Sequence, residues 1–265
     1  MKLNPKVSVI MSVYNDEKYV ADAIRSILNQ TYEDFEFIIV NDGSTDRTQE
    51  IIDSFKDDRL VKIRNERNSG VAKSINTALK VARGEFIAIQ DSDDLSLNNR
   101  LKDMVNLLEK SPNMVALVVS LYIEVDEKGK VLGPVFFPTD FEVLRKNFIR
   151  KRSLRHPALL MKKKALEKVG FYNESYRSAE DYELWLRLLK DYEFKILPKV
   201  LTIIRKTYRT NERKEIYYSI KARLWALRNL DYPFYQYLYL IKPFLDLVLP
   251  NLIKRPIQHY ILRSR

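Results

Sequence analysis

The stretch FIAIQDSDD, residues 86–94, runs from four apolar residues into three carboxylates that lie within four positions. A short apolar run of this kind is typical of a buried strand, and the charged residues mark its carboxyl end. Carboxylates so close together repel one another unless a cation neutralises them, and their oxygens suit hard divalent ions such as Mg²⁺ or Mn²⁺. The stretch therefore predicts a buried strand that ends at a metal site.

Strands and helices alternate through the residues before this stretch. Residues 7–13 and 35–40 are apolar and rich in β-branched side chains, and residues 60–64 form a shorter run of the same kind. Between Val20 and Leu28 the apolar residues recur at the period of a helix packed on a sheet. Parallel strands need such crossover helices. The predicted fold class is α/β, with a mainly parallel Rossmann-like sheet covered by helices.

Three polar loops follow the predicted strands. They are SVYN at 12–15, NDGS at 41–44 and DSDD at 91–94. In open α/β sheets, ligands bind outside the carboxyl ends of the strands. We therefore expect these three loops to meet at one ligand site.

The composition excludes several classes of site. The chain of 265 residues has no cysteine, which rules out disulfides, thiolate metal sites and a cysteine nucleophile, and its two histidines argue against a multi-histidine metal site. The N-terminal apolar run is too short for a signal peptide, and no apolar run approaches the roughly 20 residues that span a bilayer. We expect a cytoplasmic protein that does not cross a membrane.

The net charge of +11 is concentrated near the C-terminus, because residues 205–265 hold 13 Lys and Arg but only four Asp and Glu. This segment also holds a predicted helix at 216–230 and the aromatic run YPFYQYLYLIKPF at 232–244. Aromatic rings beside cations suit the interface of an anionic membrane. One alternative is a helix pair that packs on the rest of the chain or on a second subunit. Nucleic-acid binding is a weaker alternative, because no recognition motif accompanies the charge.

Five blocks of the sequence, in this order along the chain, resemble family 2 glycosyltransferases of the A-type nucleotide-sugar transferase fold. They are VSVIMSVYN (7–15), FIIVNDGSTDRT (37–48), NSGVAKSINTAL (68–79), GEFIAIQDSDD (84–94) and AEDYELWLRL (179–188). The resemblance implies a catalytic domain at 1–204, with a nucleotide-binding half at 1–114 and an acceptor-side half at 115–204. Residues 205–265 would form a helical, basic and aromatic C-terminal extension.

The resemblance implies a nucleotide-sugar donor site. Tyr14 would lie against the base and Asp42 would accept a hydrogen bond from it, although Asp42 also suits a turn in NDGS. Gly70 would let the backbone approach the donor, and Lys73 would face the base or a phosphate unless it is simply solvated. The full set of predicted donor-binding residues is Ser12, Val13, Tyr14, Asp42, Gly70, Lys73, Asp91, Ser92 and Asp93.

The same resemblance assigns the metal and the catalytic base. Asp93 would bind the Mg²⁺ or Mn²⁺ that bridges the donor phosphates, with Asp91 supporting the metal or contacting the ribose, while Ser92 turns away. Asp181, beside Glu180, would be the general base of an inverting direct displacement. Without the other four blocks, Glu180 and Asp181 would be interpreted as structural, because carboxylates at a helix start are common for dipole reasons alone.

The resemblance leaves the acceptor side less defined. Residues 115–135 suggest a hairpin, and a basic run at 150–155 could steer an anionic acceptor. His156 would contact a phosphate or start a strand.

We expect transfer from a UDP-sugar to a glycan or lipid-linked acceptor at the inner face of the cell membrane, with a homo-oligomer through the C-terminal extension as an option. A non-catalytic nucleotide- or sugar-binding protein is the alternative.

Overall fold

The computed structural model describes residues 4–150, 154–207 and 212–248, and a nine-stranded sheet runs through them. The first half of the chain alternates strands and helices. Its elements are β1 (Val7–Val13), α1 (Val20–Leu28), β2 (Phe35–Asn41), α2 (Thr48–Ser54), β3 (Leu60–Arg64), α3 (Val71–Val81) and β4 (Phe86–Ile89).

The second half adds elements of more varied length. They are β5 (Leu95–Ser96), α4 (Arg100–Glu109), β6 (Val115–Val125), β7 (Val131–Val135), α5 (Phe141–Asn147), β8 (Leu159–Lys162), α6 (Lys163–Val169), α7 (Glu180–Asp191), β9 (Glu193–Arg205), α8 (Glu212–Asn229) and α9 (Ile241–Val248). Two 3₁₀ segments, His156–Ala158 and Phe234–Leu240, complete the set.

The first four strands pair in parallel in the order β3-β2-β1-β4. Val9 of β1 lies between Phe37 of β2 and Ala88 of β4, so the three strands run side by side with their carboxyl ends at one edge. The predicted α/β class and its parallel, helix-covered sheet are confirmed in this half.

The second half makes the sheet mixed. β8 is antiparallel to both β4 and β6, β9 is parallel to β6, and β5 is antiparallel to β9. The predicted hairpin is present as β6 and β7, and its turn is closed by the Asp126 carboxylate, which accepts from the backbone N–H groups of Lys128 and Lys130. Antiparallel partners need no crossover helix, so the strand-helix alternation that predicts parallel pairing does not extend to this region.

Hydrophobic residues cover both faces of the sheet. Neighbouring residues of β1 enter different clusters: Val9 packs with Ile24 of α1 and Leu101 of α4, whereas Ile10 packs in the cluster of Ile75 and Trp185. Side chains of a strand alternate between faces, so both faces of β1 are buried. This arrangement leaves the strand ends as the accessible part of the sheet.

The C-terminal elements pack on the rest of the chain through α8 and the 3₁₀ segment Phe234–Leu240. The Tyr232 hydroxyl and the Gln236 amide donate to the carbonyls of Arg145 and Lys146. By contrast, α9 has no buried residue. Among the described residues, no helix is long and apolar enough to span a membrane. Residues 249–265, with the last basic residues of the predicted extension, lie outside the described residues.

A buried polar network fixes the start of β4 against β1 and β2. The Gly84 N–H donates to the Ser8 hydroxyl at 2.8 Å, and that hydroxyl donates to Glu36 at 2.7 Å. Glu36 also accepts from the guanidinium of Arg83 at 2.6 Å. The backbone at Gly84 lies so close to β1 that an added β-carbon would sit 2.3 Å from the Ser8 nitrogen.

We expect Gly84→Ala to lower the free energy of unfolding by about 2–3 kcal/mol, because β1 and β4 must move apart to admit the methyl group. Urea unfolding followed by circular dichroism measures this change. Gly129→Ala is the matched control: Gly129 has a φ of +85° with nothing within 4 Å of the added carbon, so only its backbone conformation is strained, at about 1 kcal/mol. An equal loss of unfolding free energy in the two variants would contradict the close approach of Gly84 to β1.

Candidate active site

A cavity of about 500 Å³ opens at the carboxyl ends of β1, β2 and β4. The three polar loops that follow these strands meet there, as the topology requires. The predicted site residues that line it are Ser12, Tyr14, Asp42, Gly70, Lys73, Asp91, Ser92, Asp93, Glu180 and Asp181. Residues from all five blocks of the sequence thus face one space.

Val13 does not line this cavity. Its side chain is 1% exposed and lies in the hydrophobic cluster between the sheet and α1. Residues two apart in a strand point the same way, so Ser12 and Tyr14 face the cavity while Val13 faces the core. Only its backbone reaches the site region, where the Val13 carbonyl accepts from the Asp42 N–H at 2.8 Å.

The Asp42 carboxylate holds the loop that precedes α3. It accepts hydrogen bonds from the Asn65 amide at 2.7 Å, from the N–H and hydroxyl of Ser69, and from the Gly70 N–H at 2.8 Å. Burial acts to raise the pKa of Asp42, but these hydrogen bonds outweigh it and keep the pKa below its usual range. Asp42 is therefore an ionised carboxylate that orders residues 65–70 at the cavity wall.

The start of α3 forms part of the same wall. Gly70 has a φ of +95°, a conformation that favours glycine, while an added β-carbon would meet only the Arg177 side chain at 3.7 Å. Backbone conformation, rather than lack of space, is the reason for glycine here. The first turn of α3 then lines the cavity, with the Lys73 side chain exposed. Helix N-termini carry partial positive charge, which favours phosphate groups.

The acidic loop after β4 is held by its backbone and by side chains on both sides. The Gln90 amide donates to the carbonyls of Asp91 and Asp94, and the Ser92 hydroxyl donates to Asp16 at 2.5 Å. This contact turns Ser92 toward the loop after β1. Asp94 is buried and accepts from the Arg205 N–H at 2.6 Å, so it anchors the end of β9.

A buried arginine lies beneath this loop. Arg100 has no exposed surface, and its guanidinium donates to the Ile89 carbonyl, to the Gln90 side-chain oxygen and to the Ser96 hydroxyl. Burial lowers the pKa of Arg100 to about 10, which leaves it positively charged at neutral pH. The end of β4 thus has a fixed positive charge behind it and carboxylates in front.

Acidic side chains nevertheless crowd together at the cavity floor. Burial, together with repulsion from Asp93, Asp181 and Glu180, raises the pKa of Asp91 to about 8. The same two effects raise the pKa of Asp94 well above its ordinary value. A bound cation would relieve this repulsion, and carboxylate oxygens are the ligands that hard divalent ions prefer.

The protein supplies only part of a metal coordination shell. Among the residues that the structure describes, no three His, Cys, Asp or Glu side chains converge as a preformed metal cage. Mg²⁺ is commonly held by one or two carboxylates together with substrate phosphates and water. Asp91 and Asp93, which both line the cavity, fit that kind of site.

Glu180 and Asp181 begin α7 and line the cavity. Ala179, immediately before them, has a left-handed backbone with a φ of +56°, which costs an L-residue roughly 1–2 kcal/mol. Such strained positions cluster at functional sites. Asp181 is 5% exposed, so its carboxylate meets solvent only through the cavity.

Sequence reasoning did not assign several residues that line the cavity. Tyr176, Arg177 and Lys214 come from the loop before α7 and from the first turn of α8. Arg155 lines both this cavity and a second one of about 570 Å³, which shares Asp91, Asp93 and Glu180 and extends toward the end of β9. The basic run before His156 was a signal for Arg155, whereas the other three residues carry no local signature.

His156 lies at the cavity and also begins a 3₁₀ turn immediately before β8. It is 6% exposed, its Nε2 lies 3.1 Å from the Tyr172 hydroxyl, and its ring packs edge-on against Trp185. The structure thus places His156 just before β8 and at the cavity, and its contact with a phosphate stays a prediction. Arg150 is exposed, while Lys151 and Arg152 lie outside the described residues.

Comparison with known proteins gives consistent matches. The family model described as glycosyl transferase family 2 matches residues 8–170. MJ1057, named as an uncharacterized glycosyltransferase of Methanocaldococcus jannaschii, is 37% identical over a 232-residue match, and the match covers 82% of this chain and 79% of the relative. EpsE of Bacillus subtilis, also named as a glycosyltransferase, is 33% identical over 260 residues, with 94% and 92% covered.

Solved structures share the fold. The S. aureus TarS fragment 1–349 in complex with UDP has a TM-score of 0.67 and 25% identity, covering 90% of this chain and 70% of that one. The mannosyltransferase PcManGT from Pyrobaculum calidifontis, in complex with GDP-Man and Mn²⁺, has a TM-score of 0.69 and 21% identity, covering 98% and 75%. The family match spans more than half of the chain, so this protein belongs to glycosyl transferase family 2 and is a glycosyltransferase with the A-type fold.

Proposed function

We propose that this glycosyltransferase moves a sugar from a UDP-sugar to an acceptor hydroxyl by an inverting, metal-assisted displacement. The observation that carries the proposal is the single cavity that brings Asp42, the acidic loop and Asp181 together at the strand ends. The complexes of TarS with UDP and with UDP-GlcNAc support a uridine donor. PcManGT, whose structure holds GDP-Man and Mn²⁺, supports metal use and makes GDP the alternative nucleotide.

The nucleotide would bind along the wall made by β1, β2 and α3. Tyr14 is 46% exposed at the cavity, which leaves its ring free to stack on the base. Asp42 would accept from a base N–H beside the loop it already holds, and Gly70 would bring backbone close to the donor. The start of α3 and Lys73 would attract the phosphates.

Asp93 and Asp91 would hold Mg²⁺ or Mn²⁺, which, when bound, neutralises charge on the leaving diphosphate. Asp181 would accept the proton of the acceptor hydroxyl as its oxygen bonds to the anomeric carbon. The bond from that carbon to the phosphate oxygen breaks at the same time, and the nucleoside diphosphate leaves with the electron pair. Attack from the opposite face inverts the anomeric configuration. Glu180, beside Asp181, would help to orient the acceptor.

The acceptor and the location follow from the C-terminal segment. We propose a glycan or lipid-linked acceptor, reached at the inner face of the cell membrane through the basic and aromatic residues of 205–265. Residues 1–204 would be the catalytic domain in this division. A non-catalytic protein that only binds nucleotide or sugar is the competing function, and the Asp181 variant below separates the two.

Asp93→Asn should weaken Mn²⁺-dependent binding of UDP about tenfold or more, a loss of about 1.4 kcal/mol, because one charged metal ligand is lost. Calorimetric titration of UDP, GDP and ADP with and without Mn²⁺ measures this and identifies the base. Asp58→Asn, an exposed carboxylate in the loop before β3, is the control and should bind like the wild type. Metal-independent binding that Asp93→Asn leaves intact would contradict the assignment.

Asp181→Asn should lower the rate of sugar release from UDP-sugars by about 10²–10⁴-fold, because an amide cannot take the proton. UDP affinity should stay within about twofold of the wild type. A panel of UDP-sugars, assayed by release of UDP, provides the rates. If the wild type binds UDP but releases no UDP from any UDP-sugar, with or without acceptor extract, the non-catalytic alternative is favoured.

The raised pKa of Asp91 predicts a pH-dependent stability. In the metal-free fold Asp91 keeps its proton up to about pH 8, while the unfolded chain releases it near its ordinary value of 3.8. Between about pH 4 and pH 8 the folded state therefore binds more protons than the unfolded chain. The contribution of Asp91 to stability falls as the pH rises through this range. Urea unfolding at pH 5 and pH 8 measures how much the free energy of unfolding falls between these two pH values. We expect a smaller fall in Asp91→Asn than in the wild type or Asp58→Asn. Equal losses in all three would overturn the assignment.

A further inference from the structure

A groove of about 510 Å³ runs between α8 and α9, apart from the catalytic cavity. Its α8 wall is a stripe at helical spacing, so these side chains share one face of the helix. Most of the lining is apolar or aromatic. On the two helices this part consists of Tyr217, Ile220, Leu224 and Trp225 of α8 with Phe244 and Leu247 of α9. The groove is therefore an apolar trough between two helices.

The helix α9 leaves its apolar face without a partner in the described part of the chain. Ile241, Phe244, Leu245 and Val248 recur at i, i+3, i+4 and i+7, and each is between 45% and 58% exposed. Phe244 belongs both to this face and to the groove. Contiguous exposed apolar surface of this kind marks a site that binds an apolar partner.

Basic side chains flank the apolar lining. Lys221 and Arg228 both line the groove from α8, and the Lys221 ammonium lies 4.8 Å from the centre of the Tyr176 ring. Among the residues that the structure describes, none that lines the groove is acidic: Glu212 and Glu215 lie in the first turn of α8, and Asp246 of α9 pairs with Lys242. The charge of the groove therefore complements an anionic head attached to an apolar chain.

The groove and the catalytic cavity are adjacent. The buried side chain of Tyr176 lines both spaces, and Lys214, only three residues before Tyr217, lines the cavity. Three residues of helix advance about 4.5 Å. The cavity and the groove therefore lie on neighbouring turns of α8, on either side of Tyr176.

We propose that the groove between α8 and α9 binds the apolar chain of a phosphate-bearing lipid whose head carries the acceptor hydroxyl. The proposal rests on the proposed function and narrows its acceptor to the lipid-linked class. Lys221 and Arg228 favour the anionic head over a cationic or neutral one. The exposed apolar face of α9 would contact the bilayer that supplies the lipid.

The first test is a chain-length series of alkyl phosphates, from hexyl to dodecyl, below their micelle concentrations. Each added CH₂ should tighten binding about fourfold until the groove is full, so decyl phosphate should bind on the order of 100-fold more tightly than hexyl phosphate. Trp225 reports on the groove by fluorescence, since the chain's other tryptophan, Trp185, is fully buried. Decyl trimethylammonium should bind at least about tenfold more weakly than decyl phosphate.

Phe244→Asp should weaken decyl phosphate binding at least about tenfold, because it places a carboxylate in the apolar lining. Phe136→Asp is the matched control: Phe136 is 67% exposed in the segment after β7, outside the groove, and its replacement should leave binding unchanged. Lys221→Glu should weaken binding of the phosphate but not of the trimethylammonium compound. Thermal unfolding of each variant checks that it folds.

UDP titration of the same samples separates the two proposals. Binding of UDP without any chain-length dependence would overturn the groove assignment and leave the donor site standing. The assignment would also be overturned if Phe244→Asp and Phe136→Asp reduced binding to anionic vesicles by the same amount. A third contrary result would be a wild-type dimer that does not bind alkyl phosphates and that Phe244→Asp dissociates. Tight chain-dependent binding without any nucleotide binding would retain the groove and reject the proposed donor site.

Discussion

Crowding of acidic side chains at the end of β4 is the constraint around which the rest of the site is arranged. Burial, together with repulsion from neighbouring carboxylates, raises the pKa values of Asp91 and Asp94, yet hydrogen bonds hold the loop in place. Gln90 binds its carbonyls, and the buried guanidinium of Arg100 holds Gln90 in turn. The fold thus keeps these carboxylates together and leaves their neutralisation to whatever binds there.

The two walls of the cavity are built in different ways. On the nucleotide side, Asp42 contacts residues only 23 to 28 positions away, in the loop that follows the neighbouring strand β3. On the opposite side, α7, the turn at His156 and the first turn of α8 come from distant parts of the chain. The regular geometry of parallel strands positions the first wall, whereas packing between remote elements positions the second.

This difference explains how far the sequence could predict the structure. The α/β fold and the family were predicted correctly from periodicity and from the five blocks, because both signals are local. The face of Val13 was missed although strand alternation was available to detect it. Tyr176, Arg177 and Lys214 could not have been found, since nothing in their own segments indicates that the chain returns to the cavity. The mixed second half of the sheet was hidden for the same reason.

The crowded hydrogen bonding of Asp42 limits how donor preference could evolve in this chain. The same carboxylate that we propose reads the base also fixes Ser69 and Gly70, and through them the start of α3. Exchanging Asp42 to suit another base would release this loop together with the phosphate side of the site. Drift toward a different nucleotide is therefore easier at Tyr14 or Asn68, which border the cavity without supporting that loop through a carboxylate.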